Sequence, residues 1–298
     1  MNNAYITLLS TNNYLYGCIG LMYSWKKTNS KYPFYVIVTE DITEENIRIL
    51  KDIGYQVIVD KLYIPQSYFN LLKEYEETGE YEVPTGNSTA DLTKNGWQYG
   101  WTKLHMFKYT QFDKLLFIDA DSYIIHNLDY LFDMPAWSSV CEYDAPWRNK
   151  VRFMSAFLLV EPNIQTYNEL LQLAEDNPLI QHPATGEYQL SNDYDLLNLY
   201  KNDWDKHPEY IMPNYTYIDS LCISTADFFL PFLINNFYKI GAIHLTGDKP
   251  WIAGTGHVDN YCGDWGLWKE LYLIYIKFLN NCLKDMFYNG IASLPMVK

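Results

Sequence analysis

Ala4-Tyr5-Ile6-Thr7-Leu8-Leu9, Phe34-Tyr35-Val36-Ile37-Val38 and Tyr55-Gln56-Val57-Ile58-Val59 are three short runs rich in aliphatic and aromatic residues. Each has the length of a buried strand. After the first run, Leu15, Ile19, Met22 and Trp25 recur at spacings of four, three and three, and Pro33 closes the stretch. That spacing is one face of a helix. Thr43 followed by Glu44 and Glu45 opens a second helix, with acidic residues in its first turn. Strand, helix, strand, helix, strand in this order predicts a parallel sheet with helices on its faces.

Outward from there the pattern continues less regularly. Residues 60–96 read as a partly helical excursion, a lid or a plain surface loop, with an acidic stretch at Glu74–Glu82. A helix is expected over Gly100–Tyr109. Strands follow at Leu115–Ile118, Ser138–Cys141 and Ala156–Val160. Helices are expected at Asn163–Glu175 and Tyr194–Tyr200, and a strand at Lys239–Leu245. Near the end, Trp268, Tyr272, Tyr275, Leu279 and Cys282 stand at helical spacing. That stripe reads as core or homodimer packing. No internal repeat or low-complexity linker divides the chain. The expectation is one α/β domain over residues 1–298, its sheet mixed and mainly parallel, with a motif-bearing core at 4–251 and a helical appendage at 264–284.

Composition narrows the function. With 298 residues, 48% hydrophobic and 19% charged, the chain is long enough to bury a core without staples. A formal net charge of −14 disfavours nucleic acid and anionic membrane surfaces as partners, since both attract basic proteins. Cys18, Cys141, Cys222, Cys262 and Cys282 are widely spaced and contain no C-x-x-C, which argues against a zinc ribbon or a disulfide scaffold. Reduced thiols and a start with no basic, apolar leader lead us to expect a cytoplasmic protein with no membrane span.

The segment that carries chemistry is Leu115-Leu116-Phe117-Ile118-Asp119-Ala120-Asp121. Two carboxylates stand where an apolar strand ends, the edge at which open α/β sheets bind ligands. In extended chain, residues i and i+2 point the same way, so Asp119 and Asp121 can converge. Two packed carboxylates repel, and an Mn²⁺ or Mg²⁺ ion resolves the repulsion. D-x-D alone is weak, because it also arises as a turn or an N-cap. His244, at the end of an expected strand, adds a candidate third ligand, and Gly247 and Lys249 follow it. A glycine lets backbone approach phosphate closely, and a lysine supplies a point charge. Lys249 and Lys103 are the candidate cations for a diphosphate; otherwise each is a solvated surface lysine.

With these pieces in order, the chain resembles a glycogenin-type member of glycosyltransferase family 8, with a GT-A (Rossmann-like) fold. Tyr5-Ile6-Thr7-Leu8-Leu9-Ser10-Thr11-Asn12-Asn13-Tyr14 resembles the family's nucleotide strand and turn. Trp101-Thr102-Lys103-Leu104-His105 resembles its T-K-L segment, and Phe117-Ile118-Asp119-Ala120-Asp121 its D-x-D site. Ser155-Ala156-Phe157-Leu158-Leu159-Val160 resembles the strand lining the sugar pocket, and Asn192-Asp193-Tyr194-Asp195-Leu196-Leu197-Asn198 the D-Q-x-L-L-N stretch. His244-Leu245-Thr246-Gly247-Asp248-Lys249-Pro250-Trp251 resembles the closing H-x-x-G…K-P-W motif.

The resemblance implies a retaining, Mn²⁺-dependent transferase that moves a hexose, glucose foremost, from a UDP-sugar to a hydroxyl. It implies Asp119, Asp121 and His244 as metal ligands, with Ala120 in the same turn, and Leu8, Thr11 and Tyr14 around uridine, Tyr14 stacking on the base. Lys94, Lys103, Ser155, Gly247 and Lys249 would face the donor. Asp193 would be the pocket carboxylate near the anomeric centre, as nucleophile or as stabiliser of an oxocarbenium-like state, with Asp144 a second pocket carboxylate. Either role puts negative charge where positive charge develops. Tyr194 stands in place of the family's Gln, Met154 in place of Asn and Lys94 in place of Arg. Those departures leave the sugar and the acceptor open. The acceptor is the chain's own tyrosine, another protein, a glycan or a polyol. A nucleotide-sugar-binding module without catalysis is the alternative from another class.

Overall fold

A computed structural model describes residues 2–78, 97–141, 151–181, 188–219, 237–245, 249, 251 and 266–297. In chain order the elements are β1 (Asn3–Leu9), α1 (Leu15–Lys26), β2 (Phe34–Thr39), α2 (Glu44–Asp52), β3 (Gln56–Asp60), α3 (Gln66–Thr78), β4 (Lys114–Ile118), β5 (Ser122–Ile124), β6 (Ser138–Cys141), β7 (Phe153–Val160), α4 (Ile164–Asp176), β8 (Leu179–Gln181), β9 (Tyr188–Leu190), α5 (Asp193–Tyr200), β10 (Ile211–Met212), β11 (Tyr217–Asp219), β12 (Ala242–His244) and α6 (Gly266–Tyr288). Among the described residues, no helix is long and apolar enough to cross a membrane.

The chain forms two compact units. The first gathers Met1–Ala4, Asp60–Phe117 and Phe132–Met212; the second gathers Tyr5–Val59, Ile118–Leu131 and Pro213–Lys298.

In the second unit the strand order is β1-β2-β3. β1 and β2 run parallel, from Tyr5 opposite Phe34 to Leu9 opposite Val38. Ala4, Ile6 and Leu9 have no exposed surface, and Tyr5 is almost wholly buried. Both faces of β1 are therefore covered, as parallel strands require. α1 is buried nearly all round, through Gly17, Cys18, Ile19, Gly20, Leu21 and Met22. α2 is amphipathic, with Ile49 and Leu50 inward. Its cap is the expected one, Thr43 Oγ1 accepting from the Asn46 amide at 3.3 Å. A smaller sheet in the same unit has the order β11-β12-β5, with β11 parallel and β5 antiparallel to β12.

In the first unit the order is β10-β6-β7-β4. β10 is parallel to β6, and β6 is antiparallel to β7 with a bulge between Ser139 and Cys141. β8 and β9 form a separate antiparallel pair. Asn163 caps α4 by accepting from the Gln165 and Thr166 amides at 2.8 and 3.1 Å. The helix expected at Gly100–Tyr109 is instead a run of 3-10 turns over Trp97–Lys108. Side chains tie that run down. Thr102 Oγ1 accepts from the Tyr63 amide at 3.1 Å, and the Asp60 carboxylate accepts from Lys108 Nζ at 2.9 Å and Tyr109 OH at 2.6 Å. His105 Nδ1 stands 3.2 Å from Asp60. Burial, and next the nearby Lys108 charge, lower the His105 pKa to about 4 against the opposing pull of Asp60.

The excursion at 60–96 contains α3; its residues 79–96 lie outside the described part. The expected strand at Lys239–Leu245 is shorter, because Phe237–Lys239 forms a 3-10 turn and only Ala242–His244 pairs. The C-terminal helix, expected within 264–284, runs over Gly266–Tyr288.

Candidate functional site

The second unit builds an acidic cluster from two distant pieces of chain. β4 ends at Ile118 and β5 starts at Ser122, so Asp119 and Asp121 occupy a turn between strands. They converge through that turn, whereas the sequence suggested convergence along extended chain. β12 pairs antiparallel with β5, His244 opposite Ser122. This register sets the imidazole beside the turn, and the Leu245 amide donates to the Asp121 carbonyl at 2.9 Å. His244 Nε2 lies 3.2 Å from Asp121 Oδ1 and 4.0 Å from Asp119 Oδ2. One ligand atom from each of the three residues falls within 4.8 Å of the others. Two carboxylate oxygens and an imidazole nitrogen are a donor set that suits Mn²⁺ and also accepts Mg²⁺.

Lys249 completes the cluster. Its Nζ is 2.5 Å from Asp121 Oδ2 and donates to the Leu245 carbonyl at 2.7 Å. Side-chain exposure is 9% at Asp121 and 10% at Lys249, so this is a buried ion pair. Burial alone would push the Asp121 carboxyl up, but the Lys249 ammonium and His244 beside it hold it well below the usual carboxylate range. Burial alone would lower Lys249; Asp121 outweighs it and raises the lysine instead. Tyr14, pushed up to about 12 by burial, stays a neutral phenol at pH 7.

The turn after β1 brings the expected nucleotide residues to the same unit. Leu8 and Thr11 are half-buried, and Tyr14 ends the 3-10 turn Asn12–Tyr14, its amide donating to the Thr11 carbonyl at 3.1 Å. Asn12 pins the turn to the start of α2: its Oδ1 accepts from the Thr43 amide at 3.2 Å and Asn46 Nδ2 at 2.7 Å. Gly17 permits the close approach of the D-x-D turn, since a Cβ there would lie 2.8 Å from the Ala120 carbonyl oxygen.

The first unit carries a second cluster around Asp193, the first residue of α5. Asn192 caps that helix by accepting from the Asp195 amide at 2.9 Å, and Asp193 and Asp195 lie in its first turn, where the helix dipole favours anions. Asn198 holds α5 to β7, accepting from the Phe153 amide at 3.0 Å and donating to its carbonyl at 3.1 Å. Two residues along β7, Ser155 Oγ then reaches Asp193 at 3.2 Å. Lys103 Nζ pairs with the same carboxylate at 2.7 Å and lies 4.8 Å from the Phe117 ring centroid. The 3-10 run also presses close: a Cβ at Gly100 would be 2.9 Å from Asp193 Oδ1. Tyr194 carries the Arg152 guanidinium 4.0 Å above its ring, and Arg152 is bound to Asp195 at 2.6 Å.

Asp119, Asp121, His244 and Lys249 are thus together, and Lys103, Ser155 and Asp193 are together. Lys94, Asp144 and Gly247 lie outside the described residues. The sequence did not single out Tyr217, which stacks on His244 at 5.6 Å and shares a 2.7 Å hydrogen bond with Ser122. Its signal was hidden among 28 tyrosines, and only the pairing of β11 with β12 reveals it.

Comparison with known proteins supplies the remaining context. The family model described as Glycosyl transferase family 8 matches residues 5–158. Galactinol synthase 1 of Arabidopsis thaliana is 26% identical over 210 residues, covering 59% of this chain and 55% of that protein. Galactinol synthase 2 of the same plant is 26% identical over 232 residues, covering 67% and 61%. The chain therefore spans less than two thirds of the length of these curated relatives. Among solved structures, the galactosyltransferase LgtC in complex with donor and acceptor sugar analogs superposes with a TM-score of 0.56 at 14% identity, covering 93% of this chain and 95% of that one. The glycosyltransferase GlyE of Streptococcus pneumoniae gives 0.55 at 17% identity, covering 99% and 66%. At such identities the likeness is one of fold: a mixed, mainly parallel sheet flanked by helices, the GT-A arrangement.

Proposed function

The chain belongs to glycosyl transferase family 8, and from that premise we propose that it moves a hexose from a UDP-sugar to a hydroxyl acceptor with retention at the anomeric carbon. The observation that carries this reading is that Asp119, Asp121, His244 and Lys249 converge in one cluster. The first three would hold an Mn²⁺ ion, with Mg²⁺ the alternative. Such an ion supplies positive charge against a leaving diphosphate. Lys249 adds a fixed ammonium beside it, which suits a phosphate oxygen. Leu8, Thr11 and Tyr14 would take the uridine, with Tyr14 offering a ring face to the base. Asp193 would act on the sugar, as nucleophile or as stabiliser. Lys103 and Ser155 fix that carboxylate, so its charge is oriented before a substrate arrives.

Glucose as the donor sugar follows from the glycogenin-type resemblance. The relatives' name, galactinol synthase, instead favours galactose as the sugar and a polyol such as inositol as the acceptor. Between acceptors we favour the polyol, because those relatives align over more than half of this chain. Cys18 and Cys282 are free thiols, in keeping with a cytoplasmic enzyme.

The test is UDP release from UDP-glucose and from UDP-galactose, with Mn²⁺, with and without inositol, beside the Asp121→Ala protein. Inositol-dependent release lost in the variant is the expected result. Full activity in Asp121→Ala would sink the metal assignment. UDP binding without release from either donor would make the chain a binding module. Hexose additions to the protein's own intact mass would assign the acceptor to its tyrosines.

A further inference from the structure

The sequence gives α6 no task beyond packing, yet in the second unit it packs on Trp251 and Tyr123, each two residues along the chain from a member of the acidic cluster. Two residues after Lys249, the Trp251 ring lies between Tyr14, at 5.9 Å, and Tyr275 of α6, at 6.1 Å between centroids. Tyr275 also meets Tyr123 edge-on at 6.2 Å, and Phe278 of the same helix meets Tyr123 at 4.8 Å. Tyr123 lies on β5, the strand that leaves the D-x-D turn. Both seats are cut into α1. A Cβ at Gly17 would come within 3.0 Å of the Trp251 ring, and a Cβ at Gly20 would collide with the Tyr275 hydroxyl. Tyr275 is 4% exposed, so it has little room to yield. Its hydroxyl has no hydrogen-bond partner among the described residues, so the ring is what it contributes here.

From this geometry we infer that α6 is part of the donor-binding machinery, with Tyr275 a positioning residue that holds Lys249 in place through Trp251. The inference rests on the donor reading above, in which Lys249 serves the diphosphate. A ring that merely filled the core would affect stability and leave ligand preference alone. Disturbing a ring that positions Lys249 must weaken the diphosphate by more than the nucleoside, whose Tyr14 also touches Trp251.

The experiment compares the affinities of UDP and of uridine, in Mn²⁺, for the wild type, Lys249→Met, Gly20→Ala and Gly20→Ala/Tyr275→Phe, each checked for a native circular dichroism spectrum. A hydrogen bond to a charged group is worth about 1.5–3 kcal/mol, so Gly20→Ala should weaken UDP about tenfold or more and uridine by clearly less. Adding Tyr275→Phe removes the atom that the new methyl meets most closely, and should restore most of the loss. If Gly20→Ala does not fold, Tyr275→Leu carries the same expectation, because it shortens the ring without adding bulk. Unchanged UDP affinity in a folded variant, or equal losses for UDP and uridine, overturns the inference while the donor reading stands. If the wild type shows no preference for UDP over uridine, or Lys249→Met keeps the preference, the donor reading fails and the inference falls with it.

Discussion

Replacing Asp121 by alanine removes one half of a buried ion pair and leaves the other. Lys249 Nζ sits 2.5 Å from the lost carboxylate, with only 10% of its side chain exposed. An uncompensated buried charge typically costs about 3–5 kcal/mol, a large share of the roughly 5–15 kcal/mol that stabilises a folded domain. Asp121→Ala should therefore unfold at markedly lower urea in the presence of a chelator. Lys249→Met should also destabilise, by less, since His244 remains 3.2 Å from the stranded carboxylate. The double variant should lose less than the sum, with a coupling of about 2–3 kcal/mol, at the upper end for residues in contact. Urea unfolding of the four proteins, followed by circular dichroism, measures this. Added Mn²⁺ supplies a second reading: at one hundred times its dissociation constant it should stabilise the wild type by about 2.7 kcal/mol and leave Asp121→Ala unmoved. Losses that add to within about 0.5 kcal/mol would refute the pairing, because independent sites behave that way. An equal Mn²⁺ shift in both proteins would refute the assignment of Asp121 as a ligand.

Three further outcomes are expected. The folded-state pKa of His105, lowered from 6.5 to about 4, means that the unfolded chain binds more protons between those values; stability should rise with pH across that window, by up to about 3 kcal/mol, and His105→Gln should flatten the rise in a series of urea midpoints. Asp193→Asn, and more gently Gly100→Ala, whose Cβ would press on Asp193 Oδ1 at 2.9 Å, should slow turnover while leaving UDP affinity nearly unchanged; calorimetry showing UDP affinity falling in step with the rate would remove Asp193 from the sugar-acting role. Asn192→Ala deletes the N-cap that accepts from the Asp195 amide, and should cost about 1 kcal/mol in thermal or urea unfolding.

Local features of the chain were legible in advance, and long-range ones were not. The alternation from Ala4 to Val59 and the cap at Thr43 rest on neighbouring residues, and they appear where the pattern put them. Asp119 and Asp121 were found, but the turn that joins them was not, because β5 is only Ser122–Ile124, too short to show a period. His244 could be proposed from its followers; its approach to the aspartates depends on a register between strands more than one hundred residues apart, which no local pattern encodes. The segment Gly100–Tyr109 looked α-helical, since the 3-10 run found over Trp97–Lys108 shares much of that spacing. What holds it in the tighter form is tertiary, Asp60 and Tyr63 binding its side chains. Lys103 was expected toward a diphosphate, and its 2.7 Å partner here is Asp193, a residue ninety positions on.

The pairing of β5 with β12 has a consequence for how the protein is made. A ribosome delivers the chain from its N-terminus at about 5–20 residues per second. His244 follows Asp121 by 123 residues, so it trails the aspartates by roughly 6–25 s at that pace. Throughout that interval the nascent chain displays its acidic turn with neither the imidazole nor Lys249 to balance it. A ribosome that stalls in this window, or a message cut short there, leaves a product carrying the D-x-D residues and lacking half the cluster. Translation itself thus orders the assembly, and the cation site is closed only once His244 and Lys249 have been synthesised.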